Sequence, residues 1–260
     1  MALTLAFLCV VFAIGLVIGS FLNVVILRRA RGEGLGGRSR CDSCGALLRA
    51  RELVPVISFC LQKARCRRCG AGLSWQYPAV EAATALIFVL IASYLLPYAA
   101  SGVLSPLIFL SAFPAAAALI VLVVSDFKYQ ILPDGAVATL FVFGVAAGLA
   151  RGALAVDLGT AAIYAAFFAS LWFFSGGRWM GLGDAKLILA TSLAVGFPAS
   201  LVAFLFSFWL GGISGLVLLA LGARDMQSRI PFGPFIIAGS AAAYFFSPQF
   251  LALTGLNMLW

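Results

Sequence analysis

The chain has 260 residues, 63% of them hydrophobic, and only 26 charged side chains, 17 basic and nine acidic. A soluble domain is nearer half apolar and a quarter charged, so this composition excludes an ordinary single-core globular protein and points to a chain embedded in lipid. The formal net charge of +8 does not imply a nucleic-acid partner, because eleven of the 17 basic residues lie between Arg28 and Arg68 and the remainder of the chain is nearly uncharged.

A helix that crosses a bilayer needs about 20 predominantly apolar residues, because every backbone N–H and C=O must be paired within the segment. In chain order, residues 3–27, 79–97, 103–125, 135–150, 158–175, 187–221 and 232–250 form such runs, with Glu81 the one charge among them. Gly196-Phe197-Pro198 interrupts the run 187–221, and proline cannot donate to a helical ladder, so that run is expected to divide into two short helices. The first run has no basic residues before it and arginines after it, which fits a retained helix rather than a cleaved signal peptide.

The expected fold is an all-α polytopic membrane protein of about eight transmembrane helices. Residues 1–27 form the first helix, 28–78 a small zinc-ribbon-like domain between helices 1 and 2, and 79–260 the remaining seven helices. Basic residues collect on the cytoplasmic side of a membrane, which puts 28–78 in the cytoplasm and the N-terminus outside. With eight spans, Lys128, Arg178, Lys186, Arg224 and Arg229 fall on the same side as the basic block, and Arg151 alone falls outside. The arginines are then accounted for by the membrane and its anionic headgroups, without nucleic acid.

Four of the six cysteines form Cys41-x-x-Cys44 and Cys66-x-x-Cys69, with Gly45 and Gly70 directly after each pair. Two such knuckles suit a tetrahedral Zn²⁺, each offering two thiolates around a turn that glycine permits. A pair of disulfides is the structural alternative, disfavoured on a reducing cytoplasmic face. Four thiolates close the coordination sphere, so the metal would be structural, stapling a segment of about fifty residues with little core of its own. Cys9 and Cys60 are expected to be ordinary buried thiols.

The chain contains no histidine, which removes His-dependent triads and His-metal sites. Outside 28–78 the acids are Glu81, Asp126, Asp134, Asp157, Asp184 and Asp225. A carboxylate at or within a membrane is costly and therefore a candidate for function. Asp126 closes the run 103–125, and Asp184 lies in Gly181-Leu-Gly183-Asp184-Ala-Lys186, at the same depth and on the same side by the topology above. Two carboxyls in reach of one another cannot both ionise, and a pair sharing one proton can activate water for amide hydrolysis. Gly181 and Gly183 would let an extended peptide approach the loop. By composition alone, a loop with Asp184 capping the next helix accounts for the same string. Asp134, in Leu-Pro-Asp before an apolar helix, reads as an N-cap, Asp157 falls on the outer face, and Asp225 lies in a loop.

Six motifs in order carry a resemblance: Gly19-Ser-Phe-Leu-Asn-Val-Val-Ile-Leu27, the paired CxxC segment, Trp75-Gln-Tyr-Pro-Ala-Val-Glu81, Asp126 through Leu132-Pro133-Asp134, Gly181-Leu-Gly-Asp-Ala-Lys186, and Ile230-Pro-Phe-Gly-Pro-Phe235. Over nearly its whole length the chain resembles the type IV prepilin peptidases, membrane aspartyl proteases of the Gly-x-Gly-Asp type. The resemblance implies cleavage of a basic leader from type IV prepilins or pseudopilins at the cytoplasmic face of the bacterial inner membrane. It implies Asp126 and Asp184 as the catalytic pair, with Gly181, Gly183 and Lys186 supporting the loop. It also implies methylation of the new N-terminus with S-adenosylmethionine, and it places Glu81 at a position linked to that activity. A carboxylate merely steadying the second span is the other reading of Glu81. The chain departs from the family pattern at Arg28-Arg29-Ala30, where a proline often follows the arginine, and in the Gly- and Arg-rich stretch to Cys41. A zinc-ribbon-bearing transporter or scaffold is the alternative from another class, and it predicts paired charges deep within spans. A methyltransferase acting alone leaves the Gly-x-Gly-Asp loop without a role. The sequence leaves the oligomeric state open.

Overall fold

The computed structural model describes residues 2–102, 106–221 and 231–254. Arg224, Asp225, Arg229 and Ile230 lie outside the described residues. The described chain is helical, and its only β-type pairings are two isolated bridges, Arg40 with Leu47 and Arg65 with Gly72. The helices are α1 (Ala2–Ala30), α2 (Ile57–Leu61), α3 (Gln76–Ala100), α4 (Pro106–Tyr129), α5 (Asp134–Arg151), α6 (Leu154–Ser175), α7 (Leu182–Val195), α8 (Ala199–Ala220) and α9 (Gly233–Thr254). Six of the seven expected apolar runs have each become one long helix, and the run 187–221 divides into α7 and α8 at Gly196-Phe197-Pro198, as expected.

Six of these helices, α1, α3, α4, α5, α6 and α8, are long and apolar enough to cross a membrane. Of the two expected spans outside that count, α7 drops out for a geometric reason. With a rise of about 1.5 Å per residue, the 14 residues of α7 reach only about 21 Å, short of a hydrocarbon core of about 30 Å. In α9 the described apolar stretch is Gly233–Ala243.

The chain forms two compact units, and the division falls inside α4, after Val121. In the first unit α1 and α3 pack along their lengths. Their closeness depends on Gly15 and Gly19, one turn apart: a Cβ would meet the backbone of Ala85 at 2.5 Å and of Glu81 at 2.7 Å. Small residues four apart let helix backbones touch in lipid, where apolar area alone gives no reason to associate. Arg28 and Arg29 close α1 at its negative dipole end. Arg28 turns back on the Gly-rich stretch, its guanidinium donating to the carbonyls of Gly34, Leu35, Gly36, Gly37 and Arg38.

In the second unit α7 is the central element, packed against α5, α6, α8 and α9. Leu187, Ile188, Ala190 and Leu193 on α7 are fully buried, the all-round apolar pattern of an enclosed helix rather than a lipid-facing one. Its C-terminus is held by Arg151, which donates to the carbonyls of Leu193 (2.9 Å) and Ala194 (3.2 Å) and pairs with Asp157 at 2.9 Å. Asp157 is 1% exposed and also accepts the N–H of Phe197 at 2.8 Å.

Candidate active site

The two carboxylates singled out in the sequence are both buried in the second unit. Asp126 stands in the last turn of α4 and is 5% exposed, and Asp184 stands in the first turn of α7 and is 8% exposed. Both belong to the same unit, and the turn that follows Asp126 meets the turn that holds Asp184, a Cβ on Gly183 lying 3.1 Å from Cδ1 of Leu132. The 57 residues between them include α5 and α6, which pack on α7 and bring its N-terminus back to the turn after α4.

Each carboxylate is held by a glycine N–H. Gly181, the N-cap of α7, donates to Oδ2 of Asp184 at 3.1 Å, and Gly233, the first residue of α9, donates to Oδ2 of Asp126 at 2.9 Å. Asp184 is therefore not the N-cap but the third helical residue, where a carboxylate reaching back to the cap N–H satisfies one of the orphan donors of a helix start. The cap geometry and a buried carboxylate coexist at one residue. Gly183 sits against Leu132, whose Cδ1 would lie 3.1 Å from a Cβ there, so the turn between α4 and α5 packs directly on the Gly-x-Gly-Asp turn.

Lys186 and Asp134 tie the same two elements together with an ion pair of 2.8 Å. This corrects the expectation for Asp134. Pro133 occupies the N-cap of α5, Asp134 is the first helical residue, and its side chain goes to Lys186 across the turn instead of to a helix N–H. At 79% side-chain exposure it shares none of the burial of Asp126 and Asp184.

In the first unit the four sulfurs of Cys41, Cys44, Cys66 and Cys69 converge within 4.8 Å of one another, a set that could hold a metal ion. The two knuckles are near copies. Cys41 donates its N–H to Ala46 at 2.9 Å and receives that of Gly45 at 2.9 Å, while Cys66 donates to Ala71 at 2.8 Å and receives that of Gly70 at 2.9 Å. Gly45 (φ +69°) and Gly70 (φ +72°) close the turns in a left-handed conformation that a side chain would strain. The backbone N–H of Cys69, and then that of Arg68, hold the Cys66 thiol down to about 7, whereas Cys69, though the Ala71 N–H lowers it, is pushed up to about 11 by burial and the neighbouring thiols, so the four do not ionise alike. Cys9 and Cys60, expected to be buried, are exposed. Cys9 lies on α1, and a thiol is apolar enough to face lipid, so burial by protein is not required there.

Glu81, on the second turn of α3, is buried. It accepts the N–H of Val56 at 2.7 Å. Val56 has φ +59°, an outlying conformation for a β-branched residue, held by this carboxylate. Asn23, on α1, completes the cluster: it donates to the carbonyl of Tyr77 at 3.1 Å and accepts from Gln76 at 3.3 Å.

The sequence did not single out Asn23, Gly233 or the Arg151–Asp157 clamp. Asn23 and Gly233 lie inside motifs quoted for the resemblance, and the available signals were a polar residue within an apolar run and a glycine between two prolines. Arg151 and Asp157 meet across the short turn from α5 to α6, which a side-by-side listing of charges does not reveal.

Comparison with known proteins gives consistent results. Residues 13–95 match the Bacterial Peptidase A24 N-terminal domain, and residues 113–216, which contain Asp126 and Asp184, match the Type IV leader peptidase family. A Burkholderia pseudomallei protein named prepilin leader peptidase/N-methyltransferase is 33% identical over 93% of this chain and 86% of its own length. A Bacillus subtilis protein of the same name is 31% identical over 94% of this chain and 96% of its own length. One from Aeromonas salmonicida is 32% identical over 88% and 87% respectively. No solved structure matches the chain. With that likeness spread over both matched segments and nearly the full length, the chain belongs to the type IV leader peptidase family.

Proposed function

We propose that the protein is a membrane-embedded aspartyl endopeptidase that removes the basic leader from prepilins or pseudopilins and methylates the N-terminus it creates. The observation that carries the proteolytic reading is the burial of two carboxylates, Asp126 and Asp184, in one unit, with Leu132 beyond the first packed on Gly183 beside the second, in the family-matched part of a chain without histidine. In this reading the pair holds one proton. The ionised member takes a proton from a water molecule as its oxygen attacks the scissile carbonyl, and the protonated member polarises that carbonyl. Collapse of the tetrahedral adduct breaks the C–N bond, and the departing amine takes up the proton. Lys186 and Gly183 support the turn rather than the chemistry, through Asp134 and Leu132.

The positive-inside distribution supports a cytoplasmic position for the cysteine-bearing segment and for both aspartates, with the N-terminus outside. The cysteine set fits Zn²⁺. A tetrahedral site with Zn–S near 2.3 Å has sulfurs about 3.8 Å apart, and Cys41 and Cys69 already lie at 3.9 Å. Cys41, Cys44, Cys66 and Cys69 would hold it, and the ion would staple the two knuckles. For methyl transfer, S-adenosylmethionine supplies a sulfonium methyl group. The polar group of Asn23, Gln76 and Glu81, with Asn23 and Glu81 buried and Gln76 half-buried, is suited to it, Glu81 offsetting positive charge on the donor or on the substrate amine.

The test is to incubate the purified protein in lipid with a prepilin peptide, with and without S-adenosylmethionine, and read product masses. Leader release in both conditions, and one added methyl group only with the donor, is the expected result. An intact peptide in both would refute the reading.

A further inference from the structure

Resting on the dyad reading above, we infer that Gly233 is a positioning residue for leader cleavage: its N–H fixes Oδ2 of Asp126, so that the other carboxylate oxygen is the one presented toward Asp184 and the water. Four observations place it in that role. The N–H to Oδ2 distance is 2.9 Å, and the contact is buried. The space is closed, since a Cβ on residue 233 would lie 2.6 Å from Oδ2 and 3.1 Å from Cγ of Asp126. Pro231 and Pro234 flank the site and carry no N–H, so this turn offers Asp126 few other donors. The positive end of the α9 dipole also points at the carboxylate.

The donor is held in place by the residue before it. The ring of Phe232 lies against Phe168 (5.8 Å between centroids) and Phe208 (5.6 Å), and its Cε2 sits 2.6 Å from where a Cβ on Gly211 would be. The ring is wedged between α6 and α8, and the chain leaves it directly into Gly233. Asp184 is treated in the same way by Gly181, again through Oδ2. Both carboxylates therefore have one oxygen fixed by backbone, which pre-orients a pair that must share a proton.

The experiment compares Gly233→Ala with Gly239→Ala in the full chain, in lipid. Gly239 is on the same helix and equally tight, with a Cβ 2.5 Å from Oγ and 2.7 Å from the backbone nitrogen of Ser207, but it does not touch Asp126. Rates are taken per folded molecule, and methyl transfer is measured separately on a peptide whose N-terminus is already free. Displacing a reacting group by about 1 Å costs on the order of a hundredfold. Gly233→Ala should lower kcat by about that factor, with KM changed less than about threefold and methyl transfer retained. Gly239→Ala should keep kcat within about threefold of wild type. Equal losses in the two variants, or a Gly233→Ala enzyme with wild-type kcat, would overturn the inference. Should Gly233→Ala not fold, the double variant Asp126→Ala/Gly233→Ala should fold, because the atoms in the way are gone; a double variant that also fails to fold overturns the contact. A wild-type protein that cleaves nothing refutes the proposed function, not the role of Gly233.

Discussion

At the scale of the residue, the acids of this chain separate by what surrounds them. Asp126 and Asp184 are buried and hydrogen-bonded to backbone, whereas Asp134 is solvent-facing and bound to a lysine that is itself half exposed. An exposed ion pair is worth less than about 1 kcal/mol. Asp134→Asn should therefore leave cleavage within about threefold of wild type and the thermal midpoint nearly unmoved. Near-total loss of cleavage would instead move the first catalytic position eight residues along. Glu81 offers a cleaner separation, because glutamine can still accept the Val56 N–H through its carbonyl oxygen while losing the charge. Glu81→Gln should retain its metal content and most of its cleavage, but lose methyl transfer by roughly tenfold or more, the effect of about 1.4 kcal/mol or more of charge stabilisation. Product masses from one incubation read both activities, and equal losses in the two would favour a structural role.

At the scale of the element, two devices hold the parts in place. The knuckles bring four sulfurs together from a segment with few buried apolar side chains, so metal and local structure should be lost together. Elemental analysis should find about one zinc per chain. Replacing Cys41 and Cys66 together with serine should abolish it and expose 40–75 to proteolysis, while cleavage survives in part because both aspartates lie in the other unit. A zinc-free wild type with full activity would contradict the assignment. The second device is the clamp on α7. Removing Arg151 leaves Asp157 with one remaining backbone donor, and because Asp157 is enclosed while the Arg151 side chain is 36% exposed, the loss falls below the ~3–5 kcal/mol of a fully buried pair. Arg151→Ala should lower the thermal midpoint markedly, with Asp157→Asn milder because the amide can still meet Arg151 and Phe197 in part. A thermal midpoint unchanged in Arg151→Ala would show that α7 is fixed by its apolar packing alone.

At the scale of the whole molecule, the long helices were legible because lipid leaves a chain few options: an uninterrupted apolar run must become a helix. Pro198 even marked the break between α7 and α8. What was not legible is which helices lie against lipid. Residues 187–195 of α7 are as free of charge as α8, yet α7 is short and enclosed, because its neighbours rather than the composition of that run decide its surroundings. The site was legible as a list of residue types, Asp126, Asp184 and the four cysteines. Its supports, Gly233 and the Lys186–Asp134 tie, are contacts across 107 and 52 residues that no spacing encodes. The exposed Cys9 shows the same limit, since the rule that thiols are buried belongs to water-soluble proteins.

The central claim is that Asp126 and Asp184 act as one unit. Groups that work together are not additive, so removing either should cost as much as removing both. The measurement is leader release from a prepilin in lipid, read by product mass, for wild type, Asp126→Asn, Asp184→Asn and the double variant, with folding checked by zinc content. The account predicts cleavage by wild type and the same residual level, lower by about 10⁴-fold or more, in all three variants. Substantial cleavage by either single variant would contradict it.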